Sequence, residues 1–494
     1  MTSSPPSVLR SPRLWIGSGL ILAVVSTLFA LLYVGGNVDP KGNLRDLPVA
    51  LVNEDRGTDA GGGKRTNLGE QVVSGIRASA GKDRSIDWQV LTRQEADRRL
   101  GQGKVYGALV VPPDFTAAVS GLAAPGQPAA AQAGQGQTPQ GRGQAPAQAQ
   151  PQGQGQAQAQ PQGQGQAQPQ PARPKLTVLT NQAAGSFGSS MASQATQKAA
   201  HAASAQLGKD LLAKAGGGQP AAQAQLPPAA RLMLADPVAV EVADGHPLGG
   251  RSAMGLSAFY YALVLLVCGM LGANVIHSQV DNALGYLHTD FGPFRRRTPV
   301  RHTSRVRTLG ISTALMLGLS VVMGSLVEAT TVGLLDMDAS HLGLLWLYSV
   351  GTIAVVGVSG LALLAAFGTP GMLVSTIVFI AMAVPSSGAT VPLEALPGFF
   401  RTLSEFEPLR QLTGGLRSLL YFDAQAEAGL ARAWASMGLA LAGALAFGFG
   451  ATRLYDRRGL HRIPQPAEDG PDGPRTPAAA PAGQDAATPA PAGV

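Results

Sequence analysis

Long apolar runs recur along the chain, and the polar stretches between them differ sharply in length. The first, residues 15–34, reads WIGSGLILAVVSTLFALLYV. At about 1.5 Å per helical residue, such a run crosses a hydrocarbon core of about 30 Å. Comparable runs follow at 254–276, 309–335, 342–367, 371–391 and 434–451. The pattern predicts a polytopic α-helical membrane protein of six transmembrane helices, one standing alone and five grouped at 251–455. Arg10 and Arg13 precede the first run as they would in a signal peptide. The run is longer than the usual h-region of about 7–15 residues, however, and YVGGNVDP offers no A-x-A cleavage site, so an uncleaved anchor over 14–35 is expected.

Between the first two runs the period shifts from helical to strand-like and back. LPVALVNED (47–55) and SIDWQVLT (85–92) read as strands, with a helix in TNLGEQVVSGIRASAG between them capped at Thr66 or Asn67. RQEADRRLGQGK reads as a second helix and VYGALVVPPDF as a third strand. PKLTVLTNQ (174–182) adds a strand, residues 185–214 a small-residue helix, and DPVAVEVADGHPLG a final strand and turn. Alternating strands and helices predict an α/β domain over 36–250. Residues 121–173 interrupt it with Gln, Ala, Pro and Gly alone for long stretches, too apolar-poor to offset the entropy of ordering. As a flexible coil this insert has an end-to-end distance of roughly 40 Å. Residues 1–13 and the Pro/Ala-rich 456–494 are expected to be tails, the latter disordered.

Composition agrees with a membrane protein: 45% of the 494 residues are hydrophobic and the mean hydropathy is +0.12. The net charge of +7 and pI of about 9.7 would also suit a nucleic-acid binder. The densest basic stretch, FRRRTPVRHTSRVR at 294–307, carries Arg295, Arg296, Arg297, Arg301, Arg305 and Arg307. No recognition module or interleaved stacking aromatics accompany it, so no nucleic-acid partner is expected. Basic residues flanking spans stay cytoplasmic. With Arg10 and Arg13 inside, the alternation of spans brings the 277–308 connection and Arg453, Arg457, Arg458 and Arg462 inside too. The α/β domain is then extracytoplasmic and both termini cytoplasmic. The arginine run reads as a topology determinant that touches anionic lipid, at about 1 kcal/mol per basic residue, or docks a cytoplasmic partner.

Little in the chain suggests chemistry. GQGKVYG (101–107) lacks the spacing of a phosphate-binding P-loop, the seven histidines show no H-E-x-x-H, and no G-x-S-x-G occurs. Cys268, the single cysteine, lies in an apolar run and reads as a packing residue. No enzyme activity, metal or cofactor is expected. Any ATP-driven step needs a separate ATPase polypeptide.

LPVALVNEDRG after the first span and SSGATVPLEALPGFFRTLSEFEPLRQLTGGLRSLLYF after the fifth, with GKVYGALVVPPDFTAAV and GLSAFYYALVLLVCGMLGA, resemble the YhgE/Pip (phage infection protein) family of bacterial membrane proteins. That family looks related to type-2 ABC exporter permeases. The resemblance covers roughly 12–120 and 174–455 and implies a six-span protein with one extracytoplasmic domain. It further implies either the membrane subunit, as a homodimer, of an exporter of amphiphilic or lipid-linked substrates, or a cell-surface receptor or secretion scaffold. In the permeases it resembles, a re-entrant element roofs the pathway, and Pro392, Pro397, Phe399, Phe400 and Arg417 match that element's positions.

Within that segment Leu403, Phe406, Leu409 and Leu412 fall at helical spacing opposite Glu405, Glu407, Arg410 and Arg417, so one amphipathic helix is expected at the interface or dipping into the protein. The fifth span, broken by glycine and by Pro385, is a candidate hinge. Glu328 interrupts SVVMGSLVEATTVGLL; it is either a functional intramembrane carboxylate or a residue solvated where the span ends short of Asp336. Gly438, Gly443, Gly448 and Gly450 of the last span suggest close helix contact.

Overall fold

The computed structural model describes residues 39–59, 65–80, 84–123, 173–215, 228–286, 289–291, 294–296 and 299–460, with seven further positions, all helical, between Ile16 and Leu32. Nearly all of the insert at 121–173, the tail at 1–13, all but the first five residues of the tail at 456–494, most of the first span, Arg10, Arg13, Arg297 and Arg462 lie outside the described residues.

Near the N-terminus five strands form one sheet: β1 (Leu47–Asn53), β2 (Ile86–Leu91), β3 (Gly107–Val111), β4 (Lys175–Thr180) and β5 (Ala239–Asp244), in the order β2-β1-β3-β4-β5. β1 is parallel to β2 and β3, β3 antiparallel to β4, and β4 parallel to β5. Helices bridge the parallel steps, as such connections require. They are α1 (Leu68–Ala80), α2 (Arg93–Leu100), and the pair α4 (Ser186–Ala215) and α5 (Pro228–Ala235). α3 (Phe115–Ala123), which leads from β3 towards the insert, and α5 are additions to the predicted elements. β1 is a near-continuous apolar run because both its faces are covered. On one face Leu51, Leu109 and Val178 meet Val72 of α1, Phe115 of α3 and Leu207 of α4. On the other, Ala50, Val52 and Val110 meet Ala96 and Leu100 of α2.

Local polar groups start these helices. Asn67 Oδ1 accepts the Glu70 N–H at 2.7 Å and Thr92 Oγ1 accepts that of Glu95 at 3.3 Å, each satisfying a donor that the first helical turn leaves free. Asp55, just past β1, joins two helix starts: it accepts the N–H of Gly69 at 3.0 Å and of Thr116 at 3.1 Å, and the Thr116 hydroxyl.

Among the described residues five helices are long and apolar enough to cross a membrane, and the chain is a membrane-embedded multi-pass protein. They are α6 (Ser257–Ala283), α7 (Arg305–Glu328, carried on by a π turn to Leu334), α8 (Leu342–Phe367), α9 (Thr369–Ser386, with a π turn at Ile377–Ala381) and α12 (Leu430–Arg457). Two shorter helices, α10 (Gly398–Phe406) and α11 (Pro408–Tyr421), separate α9 from α12. The described part of the first helix ends with Leu32, buried beside Val49 of β1 and Ala381 of α9.

The bundle has a sheet end and a far end. At the sheet end the Arg251 N–H donates to Asp338 at 2.7 Å and its guanidinium pairs with Asp336. At the far end the N–H groups of Arg305 and Val306 donate to Asp456 at 3.0 and 3.1 Å, and Arg305 lies 5.2 Å over the Tyr455 ring. Arg301, Arg305, Arg307, Arg453, Arg457 and Arg458 therefore share the end away from the sheet. Arg295 and Arg296 lie in a two-stranded ladder, Thr289–Phe291 with Phe294–Arg296, in the same connection.

The glycine run of α12 meets a close helix crossing at one of its four positions. A Cβ on Gly448 would press on Ala362 at 2.8 Å, but one on Gly438, Gly443 or Gly450 meets nothing within 4 Å among the described residues. Other tight crossings use Gly269 of α6, whose added Cβ would be 2.8 Å from Val356 of α8, and Gly324 of α7, 2.7 Å from Val350.

Candidate functional site

The segment joining α9 to α12 is wedged between the bundle and the sheet domain. It is two helices rather than the single one expected. Pro408 cannot donate to the preceding turn and biases Glu407 out of the helical region, so α10 stops at Phe406 and α11 starts anew. Glu407 (ψ 125°) caps α11, its Oε2 accepting the Arg410 N–H at 3.0 Å. The break splits the amphipathic face: Leu409 and Leu412 are buried, whereas Phe406 is 80% exposed.

The sheet domain touches this segment through the turn 101–106, the stretch whose glycines imitate a phosphate loop. Gly103 adopts φ +64°, and a Cβ there would sit 2.7 Å from the Phe422 ring. Lys104 pairs with Glu427 at 3.6 Å, and Tyr106 donates its hydroxyl to Glu394 Oε2 at 3.3 Å. His246 donates to the Tyr421 carbonyl at 2.7 Å, and the Tyr421 hydroxyl accepts the Ala258 N–H at 3.1 Å. Asn181 fixes the turn from behind, giving its amide hydrogens to the carbonyls of Leu100 and Val105 at 2.9 and 3.0 Å.

Between the two halves lies a cavity of about 170 Å³. Tyr106 lines it from the sheet domain, Ser387 and Leu393 from the chain after α9, and Arg410, Thr413, Arg417 and Arg432 from α11 and the start of α12. Arg417 is withdrawn beneath Gly185: its Nε and Nη2 atoms are closed to solvent and have no hydrogen-bond partner among the described residues. Burial works against its charge and lowers its pKa. Burial also lowers that of Arg410, and the positive charge of Arg432 adds to the effect.

The acids here are pushed the other way. Burial raises Glu394 above the usual carboxylate range, against the opposing pull of Tyr106, Arg401 and Arg410. Burial raises Glu407 to about 8; it is 3% exposed, and its Oε1 has no hydrogen-bond partner among the described residues. Tyr106 is raised by burial and by the neighbouring Glu394. Weakly compensated charge of this kind, in a cleft, marks a candidate site on physical grounds.

Of the residues singled out in the sequence, Arg417 lines this cavity, and the neighbouring turn carries Pro392, buried ahead of Leu393. Phe400 is buried beside Val391 and Leu396, and Pro397 opens α10. Phe399 stacks edge-on against Phe400 at 5.3 Å but is 66% exposed, so it faces away from the cavity's neighbours. Pro385 is buried in the last turn of α9, just past the π turn. Glu328 lies apart from this cavity. The helix does not end beside it: α7 runs on through a π turn to Leu334. Its Oε2 is buried without a hydrogen-bond partner among the described residues, near Tyr261, whose hydroxyl shares a 2.8 Å hydrogen bond with Ser349.

Tyr106, Glu394 and Arg432 had no functional signal in the sequence. Glu407 and Arg410 fall on the polar face of the amphipathic helix expected at the interface or dipping into the protein. Their proximity comes from the docking of two segments about 290 residues apart in the chain, as the Tyr106–Glu394 separation of 288 records.

A family model described as a protein of unknown function (DUF3533) matches residues 18–136 and 156–440. No curated protein and no solved structure matches the chain.

Proposed function

We propose a function from the premise that the chain belongs to the DUF3533 family of proteins of unknown function. It is a permease-like integral membrane protein, the membrane subunit of an export system that works with a separate ATPase on an amphiphilic or lipid-linked substrate. The observation that carries this reading is the broken pair α10 and α11, lodged between bundle and sheet domain above a charged cavity. Discontinuous helices beside polar cavities are how transport bundles present polar groups at membrane depth. The π turns in α7 and α9, near Glu328 and Pro385, supply the irregular segments that a gating bundle needs. The resemblance to the YhgE/Pip family points the same way. The chain acts without catalytic chemistry or cofactor of its own, and its exposed α12 face, with Leu439 and Phe447, suits a homodimer contact.

On this reading the protein sits in a bacterial cell membrane. Its arginine-rich far end and both termini are cytoplasmic, and the sheet domain is extracytoplasmic, because arginine resists translocation. A second reading, a non-transporting receptor or secretion scaffold, draws on an apolar groove of about 240 Å³ between α1 and α4, on the sheet domain itself.

Affinity purification in mild detergent tests the first reading: a nucleotide-binding subunit should accompany the chain, and its ATP hydrolysis in liposomes should respond to substrate. If Glu328→Ala and Arg417→Ala leave export untouched while loss of residues 36–250 abolishes the phenotype, the receptor reading holds instead.

A further inference from the structure

We propose that the cavity between Tyr106 and the α10–α11 pair is a binding site for a phosphate oxyanion, held by Arg410, Arg417 and Arg432. Three arginines line one cavity; Arg410 donates from Nη1 to Ser404 at 3.0 Å, and none of the three has a carboxylate within ion-pair distance among the described residues. Two atoms of Arg417 and the Thr413 hydroxyl are closed to solvent with no hydrogen-bond partner among the described residues. Burying a cation uncompensated is among the costliest arrangements a protein can hold, so the site is complete when an anion enters it.

The nearest acid does not supply that anion. Glu394 Oε2 is engaged by the Tyr106 hydroxyl, and the carboxylate is not paired with any of the three arginines. Glu405 also supports the charge of Arg410, and with both acids ionised the three cations still exceed them by one. A phosphate group, with more oxygens than a carboxylate, can meet several guanidiniums at once. Arginine forks bind two phosphate oxygens at once, and the repulsion between Arg410 and Arg432 is relieved by a shared anion between them. A volume of about 170 Å³ leaves room for a phosphate group. Gly388, Gly414 and Gly429 on the wall leave backbone rather than side chains facing it. The cavity lies at the sheet end of the spans, level with their termini, where both a lipid headgroup and free phosphate can reach it. The inference does not depend on transport.

The test uses the full-length chain, delipidated in maltoside micelles, which carry no phosphate. Its melting temperature is followed against inorganic phosphate, against phosphatidylglycerol doped into the micelles, and against chloride at equal ionic strength. Phosphate or phosphatidylglycerol should raise the melting temperature saturably, and chloride should not. A response to phosphatidylglycerol alone assigns the site to a headgroup, and a response to inorganic phosphate assigns it to the free ion.

Arg417→Met should weaken the response at least about tenfold while leaving the ligand-free protein as stable or more so, because an unpaired buried charge is gone. Arg432→Gln, at an exposed position where folding is not at stake, should weaken it by about threefold to tenfold. No response to either phosphate source, a response equalled by chloride, or full retention of the response in both variants would overturn the proposal.

Discussion

Glu407→Gln is the substitution whose consequence can be worked furthest from the structure. The Glu407 carboxyl caps α11, is 3% exposed, and is raised by burial from 4.5 to about 8. The folded chain therefore holds a proton there that the unfolded chain releases above pH 4.5. A carboxyl raised on folding leaves stability intact below the unfolded value and erodes it as pH climbs through the folded value. The loss is about 1.4 kcal/mol per pH unit above the unfolded value and levels off near the folded one, so it amounts to about 2 kcal/mol by pH 6 and about 4 kcal/mol by pH 8. Glutamine keeps an acceptor for the Arg410 N–H and cannot ionise. The variant should match the native protein near pH 4 and exceed it by about 2 kcal/mol at pH 6 and about 4 kcal/mol at pH 8. Thermal unfolding in detergent at a series of pH values reads this out, with Trp434, packed edge-on against Tyr348 at 5.4 Å, reporting on the bundle. Glu394, also raised by burial, contributes a slope of the same sign to both proteins, so the difference between them is the test. Equal slopes for native and variant protein from pH 6 to 8 would refute the reasoning.

Gly103→Ala forces a side chain onto a residue at φ +64° and into Phe422, so it should cost about 1–3 kcal/mol and expose the 101–106 turn to limited proteolysis before the bundle melts. Asp55→Ala removes the shared acceptor for two helix starts and should cost about 2–3 kcal/mol. Burial opposes ionisation of Asp55, but the bonds from Thr116, Gly69 and Gly57 outweigh it and lower the pKa below 3.8; its contribution should be present at neutral pH and fade as pH falls through that lowered value, a slope absent from the variant. Gly269→Leu should prevent recovery of folded protein, because its Cβ already meets Val356, while Gly443→Leu, facing open space, should be recovered in full by size-exclusion chromatography.

The apolar runs were legible because a bilayer imposes one length scale, and five of the six predicted spans are helices within a few residues of the expected positions; the first falls mainly outside the described residues. The strands were equally legible: LPVALV has no polar side chain to offer a solvated face, and it became the doubly covered β1. The break at Glu407–Pro408 was hidden by apolar residues that kept helical spacing across it, even though the proline itself signals a boundary. The charged residues of α11 read as a polar face, and helical spacing cannot say whether the opposite wall is water or Tyr106. Glycines fared likewise. The four in α12 looked like a contact stripe, but whether a glycine matters depends on which helix crosses it, and Gly269 and Gly324 are set by α8 alone.

Sidedness underlies both functional readings, and cysteine labelling tests it directly. In a Cys268→Ser background, one cysteine replaces Leu232, 73% exposed on α5, and in a second protein one replaces the exposed His302 in the arginine-rich connection. A membrane-impermeant maleimide applied to intact cells should label Leu232→Cys at once and His302→Cys only after permeabilisation. Labelling of His302→Cys in intact cells, with Leu232→Cys protected, would contradict the layout.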